Sequence, residues 1–162
     1  MSKRNTHVYF NKRDKETNMY KYKTGNFVSA KNNSTFVYRS GYEYAYLQKL
    51  ESDPMVVNYV VEPFNIPYVD DRGKSRTYKP DIVVLRSSGV LEVVEIKPKV
   101  MLQNSTVQRK AAAARTFLKR NFKNNTIEYR FITEEDIFDN YQQYLDLLKT
   151  IWLIKIEYYH LI

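Results

Sequence analysis

Asp81, Glu95 and Lys97 have the types and the spacing to do metal-assisted hydrolysis. Asp81 follows Pro80 within a β-branched run, Arg76–Leu85, and the other two fall in a second such run, Val90–Lys97. Between the runs lies Arg86-Ser87-Ser88-Gly89, a short polar, glycine-containing link that predicts a hairpin. If the turn centres on Ser88, Leu85 faces Leu91, Val83 faces Val93 and Asp81 faces Glu95, with Lys97 two residues along on the same side. Two carboxylates opposed on a face of valine and leucine repel one another in a poor solvent for charge, and a divalent cation would compensate them. Oxygen ligands of this kind suit Mg²⁺, held by one or two carboxylates together with water and substrate phosphate oxygens, and Mn²⁺ is expected to substitute. Lys97 beside such an ion could position or deprotonate an attacking water, or neutralise the transition state.

The absences in the composition agree with that chemistry. Zero cysteines exclude disulfides, zinc–cysteine sites, iron–sulfur clusters and thiol nucleophiles. The two histidines, His7 and His160, lie near opposite ends, which excludes an HExxH zinc site and makes a Ser-His-Asp triad a poor fit. No apolar run reaches the roughly 20 residues of a membrane span, and Met1-Ser2-Lys3-Arg4-Asn5 opens no signal peptide. A cytoplasmic protein with no membrane partner is expected.

Charge is unevenly placed. Residues 1–40 carry a net +7 and residues 97–132 a net +8, bracketing an acidic middle, and such basic blocks suit a polyanion such as DNA. Gln108, Arg109, Lys110 and Arg115, on or beside one expected helix, are candidate phosphate contacts, and Arg39 and Lys79 complete the expected DNA-binding set.

These groups need elements to hold them. At 162 residues the chain predicts one domain. Residues 1–39 read as a basic arm with one short strand at Phe36–Tyr38, residues 40–132 as the core, and residues 133–162 as a helical extension. Ser40-Gly41-Tyr42-Glu43 fits a capping box opening a helix to about Glu51, ended by Asp53-Pro54. Glu43 shares a face of that helix with Leu47 and Leu50 and so could complete the acid site; its alternative is simply to bond the Ser40 amide. Strands are expected at Met55–Val61, Asn65–Val69, Arg76–Leu85, Val90–Lys97 and Thr126–Ile132. Between the last two, Val107, Ala111, Ala114 and Leu118 make one apolar stripe of a helix spanning about Asn104–Arg120. Thr133-Glu134-Glu135-Asp136 opens a final helical region whose apolar face would include Ile137, Tyr141, Tyr144, Leu145, Leu148 and Trp152. The mixed order predicts an α/β protein with a mixed central sheet flanked by helices.

Pro80-Asp81 followed by Glu95-Ile96-Lys97, with Glu43 upstream and a helix downstream, resembles the PD-(D/E)xK nuclease superfamily, whose restriction-endonuclease-like core runs αβββαβ. Tyr38-Arg39-Ser40-Gly41-Tyr42-Glu43, Asp53-Pro54-Met55-Val56, Glu62-Pro63, Ile66-Pro67-Tyr68, Arg76-Thr77-Tyr78-Lys79-Pro80-Asp81 and Glu95-Ile96-Lys97-Pro98 more closely resemble the TnsA-like endonucleases, a group that includes head-completion nucleases of tailed phages. The resemblance covers about residues 25–133. It implies a metal-dependent deoxyribonuclease, an endonuclease in which Glu43, Asp81, Glu95 and the Ile96 carbonyl bind Mg²⁺ and Lys97 is the catalytic lysine. It further implies DNA as substrate, with a homodimer or a virion- or transposase-type protein as possible partners, in the host cytoplasm if the chain is phage-encoded. The transposase subunit carries a further C-terminal domain, and this sequence ends about 30 residues after the core, which favours a phage-type nuclease. Alternatives are a non-catalytic DNA-binding or virion structural protein of the same fold, and a structure-specific junction resolvase.

Overall fold

The computed structural model describes residues 24–122 and 126–139. Chain order begins with β1 (Gly25–Ser29) and β2 (Ser34–Tyr38), then α1 (Gly41–Ser52), β3 (Val56–Val61), β4 (Ile66–Val69) and β5 (Ser75–Tyr78). It continues with β6 (Ile82–Arg86), β7 (Leu91–Ile96), α2 (Ser105–Asn121), β8 (Ile127–Ile132) and α3 (Glu134–Ile137). The central sheet has the order β3-β6-β7-β8, antiparallel at its first two junctions and parallel at β7–β8, where α2 makes the crossover. Leaving aside the two small hairpins, α1-β3-β6-β7-α2-β8 is the αβββαβ order of restriction-endonuclease-like folds.

The hairpin between β6 and β7 has the expected register: Leu85 pairs with Leu91 and Val83 with Val93. Its turn closes through the Arg86 amide on the Val90 carbonyl at 2.9 Å and the Gly89 amide on the Arg86 carbonyl at 2.9 Å. Gly89 takes φ +85, a conformation that a Cβ would strain.

Two differences from the sequence reading have clear causes. The run Arg76–Leu85 is not one strand but two, β5 and β6, separated by Lys79-Pro80-Asp81. Pro80 has no amide to donate to a ladder, so the run breaks there; β5 turns away to pair with β4, and β6 enters the central sheet. Residues 25–38 are also more ordered than an arm with one strand, because β1 and β2 pair along their whole length. Phe27 and Tyr38 of this hairpin lie in the core under α1. A Cβ at Gly25 would run into the Tyr38 ring and hydroxyl, so a larger residue there would have to displace that core side chain. The expected apolar positions Tyr141, Tyr144, Leu145, Leu148 and Trp152 lie outside the described residues.

The sheet buries both faces. On one, Ile82, Val84, Val94, Ile96 and Ile132 pack with Tyr46, Leu47 and Leu50 of α1. Each large apolar side chain so buried contributes about 1.5–3 kcal/mol. The second face is covered by α2, whose expected stripe of Val107, Ala111, Ala114 and Leu118 is buried. Ala111 and Ala114 are fully buried, so the helix backbone lies close to what it covers. The β4–β5 hairpin rides on the same helix through Ile66, Tyr78 and Ala114, with Phe64 stacked on Phe117 at 5.8 Å. The edge of β3 is blunted, since the Tyr59 amide donates to the Asn32 side chain at 2.8 Å. Among the described residues no helix is long and apolar enough to cross a membrane.

Candidate active site

Alternation along the strands decides which side chains meet. Val94 and Ile96 belong to the α1 side, so Val93, Glu95 and Lys97 project to the α2 side. By the same count Asp81, one residue before Ile82, shares that side with Val83. Asp81 stands just outside β6, where its carboxylate Oδ2 accepts the Ile96 amide at 2.6 Å. That bond holds it against the end of β7 in place of a continued ladder. The Lys97 ammonium lies 2.9 Å from Glu95 Oε1. Asp81, Glu95 and Lys97 are thus brought together as expected.

Electrostatics of the group are those of charges forced out of water. Glu95 is only 4% exposed. Burial pushes the Asp81 carboxyl well up from the carboxylate range, and the Glu95 charge adds to it. The Lys97 cation and the Ile96 hydrogen bond offset only part of this. For Lys97 burial acts downward, but the Asp81 and Glu95 carboxylates outweigh it and hold the ammonium above its ordinary value. Lys97 therefore keeps its proton at neutral pH, which favours its role as a cation over that of a base.

Glu95 Oε2 is buried with no hydrogen-bond partner. A carboxylate oxygen that lacks a donor and neighbours a second acid fits a hard divalent cation, which needs only one or two protein carboxylates when water and phosphate complete its shell. Asp81 and Glu95 are the residues that could hold it. Among the described residues no cluster of three or more acidic, histidine or cysteine side chains is assembled for a metal.

The reason lies in Glu43. Its helix packs on the opposite face of the sheet, and its carboxylate is occupied locally, accepting the Arg39 amide at 2.7 Å on Oε2 and the Ser40 hydroxyl at 3.2 Å on Oε1. Ser40 completes the cap by accepting the Glu43 amide at 3.1 Å. The capping partner is thus the Arg39 amide and not that of Ser40. Glu43 still lies near the sheet end that carries the site, because its charge contributes to the shifts of both Asp81 and Lys97.

What joins them was not evident in the sequence. Glu62 takes φ +48, a left-handed conformation rare for a side-chain-bearing residue, and its amide donates to the Asp81 carbonyl at 2.8 Å. Its carboxylate pairs with Arg39 through Nε at 3.0 Å and Nη2 at 3.3 Å. Glu62 thereby links the start of α1 to Asp81. The Glu62-Pro63 pair was legible as one motif of the family resemblance, but the link it makes from Arg39 to Asp81 was not. Tyr78 and Tyr129 were missed too: burial first, and then the Glu95 charge among others, drive both phenols upward, so both stay protonated behind the acids.

The expected DNA contacts divide. Lys79 and Arg109 are exposed and form no ion pair among the described residues. Lys110 sits over the rings of Tyr68 and Tyr78 at 5.7 and 5.4 Å, and Arg115 over Tyr129 at 5.3 Å. Arg39 is already matched by Glu62.

A mixed sheet in αβββαβ order, with opposed acids and a lysine at the open end of its central hairpin, is the arrangement of a restriction-endonuclease-like nuclease. Residues 53–134, half of the chain, match the family described as TnsA-like endonuclease N terminal, and the chain belongs to that family. The match spans Asp81, Glu95 and Lys97; Glu43 lies before it. The chain is also 32% identical over 99 residues to a head completion nuclease of Enterobacteria phage T4, an alignment covering 60% of this chain and 64% of that protein.

Proposed function

We propose that the protein is a Mg²⁺-dependent DNA endonuclease of the phage TnsA-like type. The observation that carries this reading is the Asp81–Glu95 pair, Asp81 half-buried and Glu95 buried with one oxygen lacking any donor, beside a lysine that those acids keep charged. Asp81 and Glu95 would hold the ion, with the Ile96 carbonyl as a further ligand; Glu43 would join them only by giving up the Arg39 amide and Ser40 hydroxyl it now accepts from. When bound, the ion would act as a Lewis acid on the scissile phosphate and lower the pKa of a water.

The protein's own groups do the rest. The Ile96 amide fixes one oxygen of Asp81 and leaves the other to face the site. Lys97 holds its proton and neutralises charge that develops on the phosphate oxygens. Tyr78, buried, and Tyr129, half-buried with its hydroxyl out of water, are uncharged and exclude water behind Glu95. Lys79 and Arg109 contact the phosphate backbone, which gives affinity with little sequence readout and makes it salt-dependent. The relative's name, a head completion nuclease, supports a setting in the completion of phage heads.

The test is cleavage of supercoiled and linear DNA in Mg²⁺, in Mn²⁺ and in chelator, by the wild type and Asp81→Ala. Metal-dependent cutting by the wild type alone is expected. Salt-sensitive binding by both without cutting would overturn the reading in favour of a non-catalytic DNA-binding protein.

A further inference from the structure

The segment that follows Lys97 has the build of an apolar wedge. Pro98 ends β7, and Lys99–Met101 form one turn of 3₁₀ helix at the sheet end where the acids lie. Val100 is 75% exposed and Met101 41%, two apolar side chains held side by side in water. The turn is anchored on both flanks. The Lys99 amide donates to Glu134 at 2.9 Å and its ammonium to Glu135 at 2.7 Å, tying it to α3. Within the turn the Met101 amide bonds the Pro98 carbonyl at 2.8 Å and the Leu102 amide the Lys99 carbonyl at 3.1 Å. On the far side the Gln108 amide group donates to the Leu102 carbonyl, and Asn104 caps α2.

A loop this well fixed, which nonetheless presents valine and methionine to solvent, is built to meet an apolar surface. Its setting selects which one. Residues 97–132 carry a net +8, and exposed Arg109 follows on the first turns of α2, so the surroundings attract a polyanion rather than an apolar protein face. The ligand that is both polyanionic outside and apolar within is nucleic acid, whose stacked bases accept inserted aliphatic side chains at the cost of unstacking. We propose that Val100 and Met101 insert between bases next to the scissile phosphate, so that the enzyme acts on duplex DNA by locally unstacking it. This rests on the nuclease reading above.

The experiment compares the wild type with the Val100→Ser/Met101→Ser variant on two substrates in Mg²⁺: a fully paired duplex, and the same duplex with a few unpaired bases at the cut position. The wedge predicts that the variant's ratio of duplex to unpaired cleavage falls at least about tenfold. It also predicts that 2-aminopurine placed at the cut position brightens when the non-cutting Asp81→Asn protein, with Val100 and Met101 intact, binds, and that the brightening is lost when the two serines are added. An unchanged ratio together with unchanged fluorescence would overturn the wedge while leaving the nuclease intact. Failure of the wild type to cut either substrate would instead overturn the nuclease reading. A mass in solution that falls from dimer to monomer on introducing the serines would reassign the turn to a contact between copies of the chain and overturn the proposal.

Discussion

The Asp81 carboxylate accepts the Ile96 amide at 2.6 Å, so one hydrogen bond fastens the start of β6 to the strand that carries Glu95 and Lys97. The ladder between β6 and β7 ends one pair earlier, at Ile82 and Val94. A side chain thus takes over from the backbone at the place where the two acids must stay together despite their repulsion.

That repulsion should be measurable as lost stability in the metal-free protein. Asp81→Asn keeps an oxygen able to accept from Ile96 and removes one of two neighbouring, poorly solvated charges. The variant is expected to unfold at a higher temperature than the wild type in chelator, by about 2–4 °C for each kcal/mol relieved. Saturating Mg²⁺ should raise the wild type and leave the variant nearly unmoved. A variant that melts below the wild type in chelator would show that the pair is not under strain.

Lys97 acts as a cation in this account. Lys97→Met should lower kcat by about 10²–10³-fold, the range for losing a charge-stabilising group in a water-poor site, with a smaller change in DNA affinity. Steady-state kinetics on a linear duplex would separate the two effects.

Acid stability has its own determinant away from the site. Burial pushes Glu51 up, but hydrogen bonds from Tyr59, the Lys31 amide and Ser29 outweigh it and leave the carboxyl below its ordinary value. A depressed folded-state value means that this stabilisation is fully present above the unfolded value and is lost as pH falls through the folded one. Glu51→Gln should therefore flatten the fall in stability between about pH 5 and pH 3. Glu51→Ala, which strands the buried Tyr59 hydroxyl, should cost about 1–3 kcal/mol at neutral pH by denaturant unfolding.

Among the basic residues, their present partners set the order of effect. Arg39 is matched by Glu62, whereas Lys79 pairs with no carboxylate among the described residues. Lys79→Ala should reduce the slope of log affinity against log salt by about 0.9, the value for one phosphate contact, and Arg39→Ala should reduce it less. Filter binding across a salt series, with Asp81→Asn to prevent cutting, reads both.

Much of the site was legible because hairpins are local. A glycine-containing link fixes the register of β6 on β7, and register alone puts Asp81 beside Glu95. The stripe on α2 was equally plain, since period and burial coincide at Val107, Ala111, Ala114 and Leu118. What could not be read depended on distant partners. The break at Pro80 is the exception, since β5 pairs locally with β4 and only its continuity with β6 was misjudged. Glu62 owes its left-handed backbone to contacts with Arg39 and Asp81, which are remote in sequence. Glu43 illustrates both cases: the capping spacing was visible, but its use of the Arg39 amide was not.

The central claim is that Asp81 and Glu95 together hold the ion that cuts DNA. Titration calorimetry of Mg²⁺ into the DNA-bound protein, run on wild type, Asp81→Asn and Glu95→Gln alongside cleavage in the same buffers, tests it most directly. The account predicts a binding isotherm for the wild type, its loss in both variants, and cleavage that vanishes with it. Undiminished Mg²⁺ binding in both variants, or cleavage that persists in chelator, would contradict it.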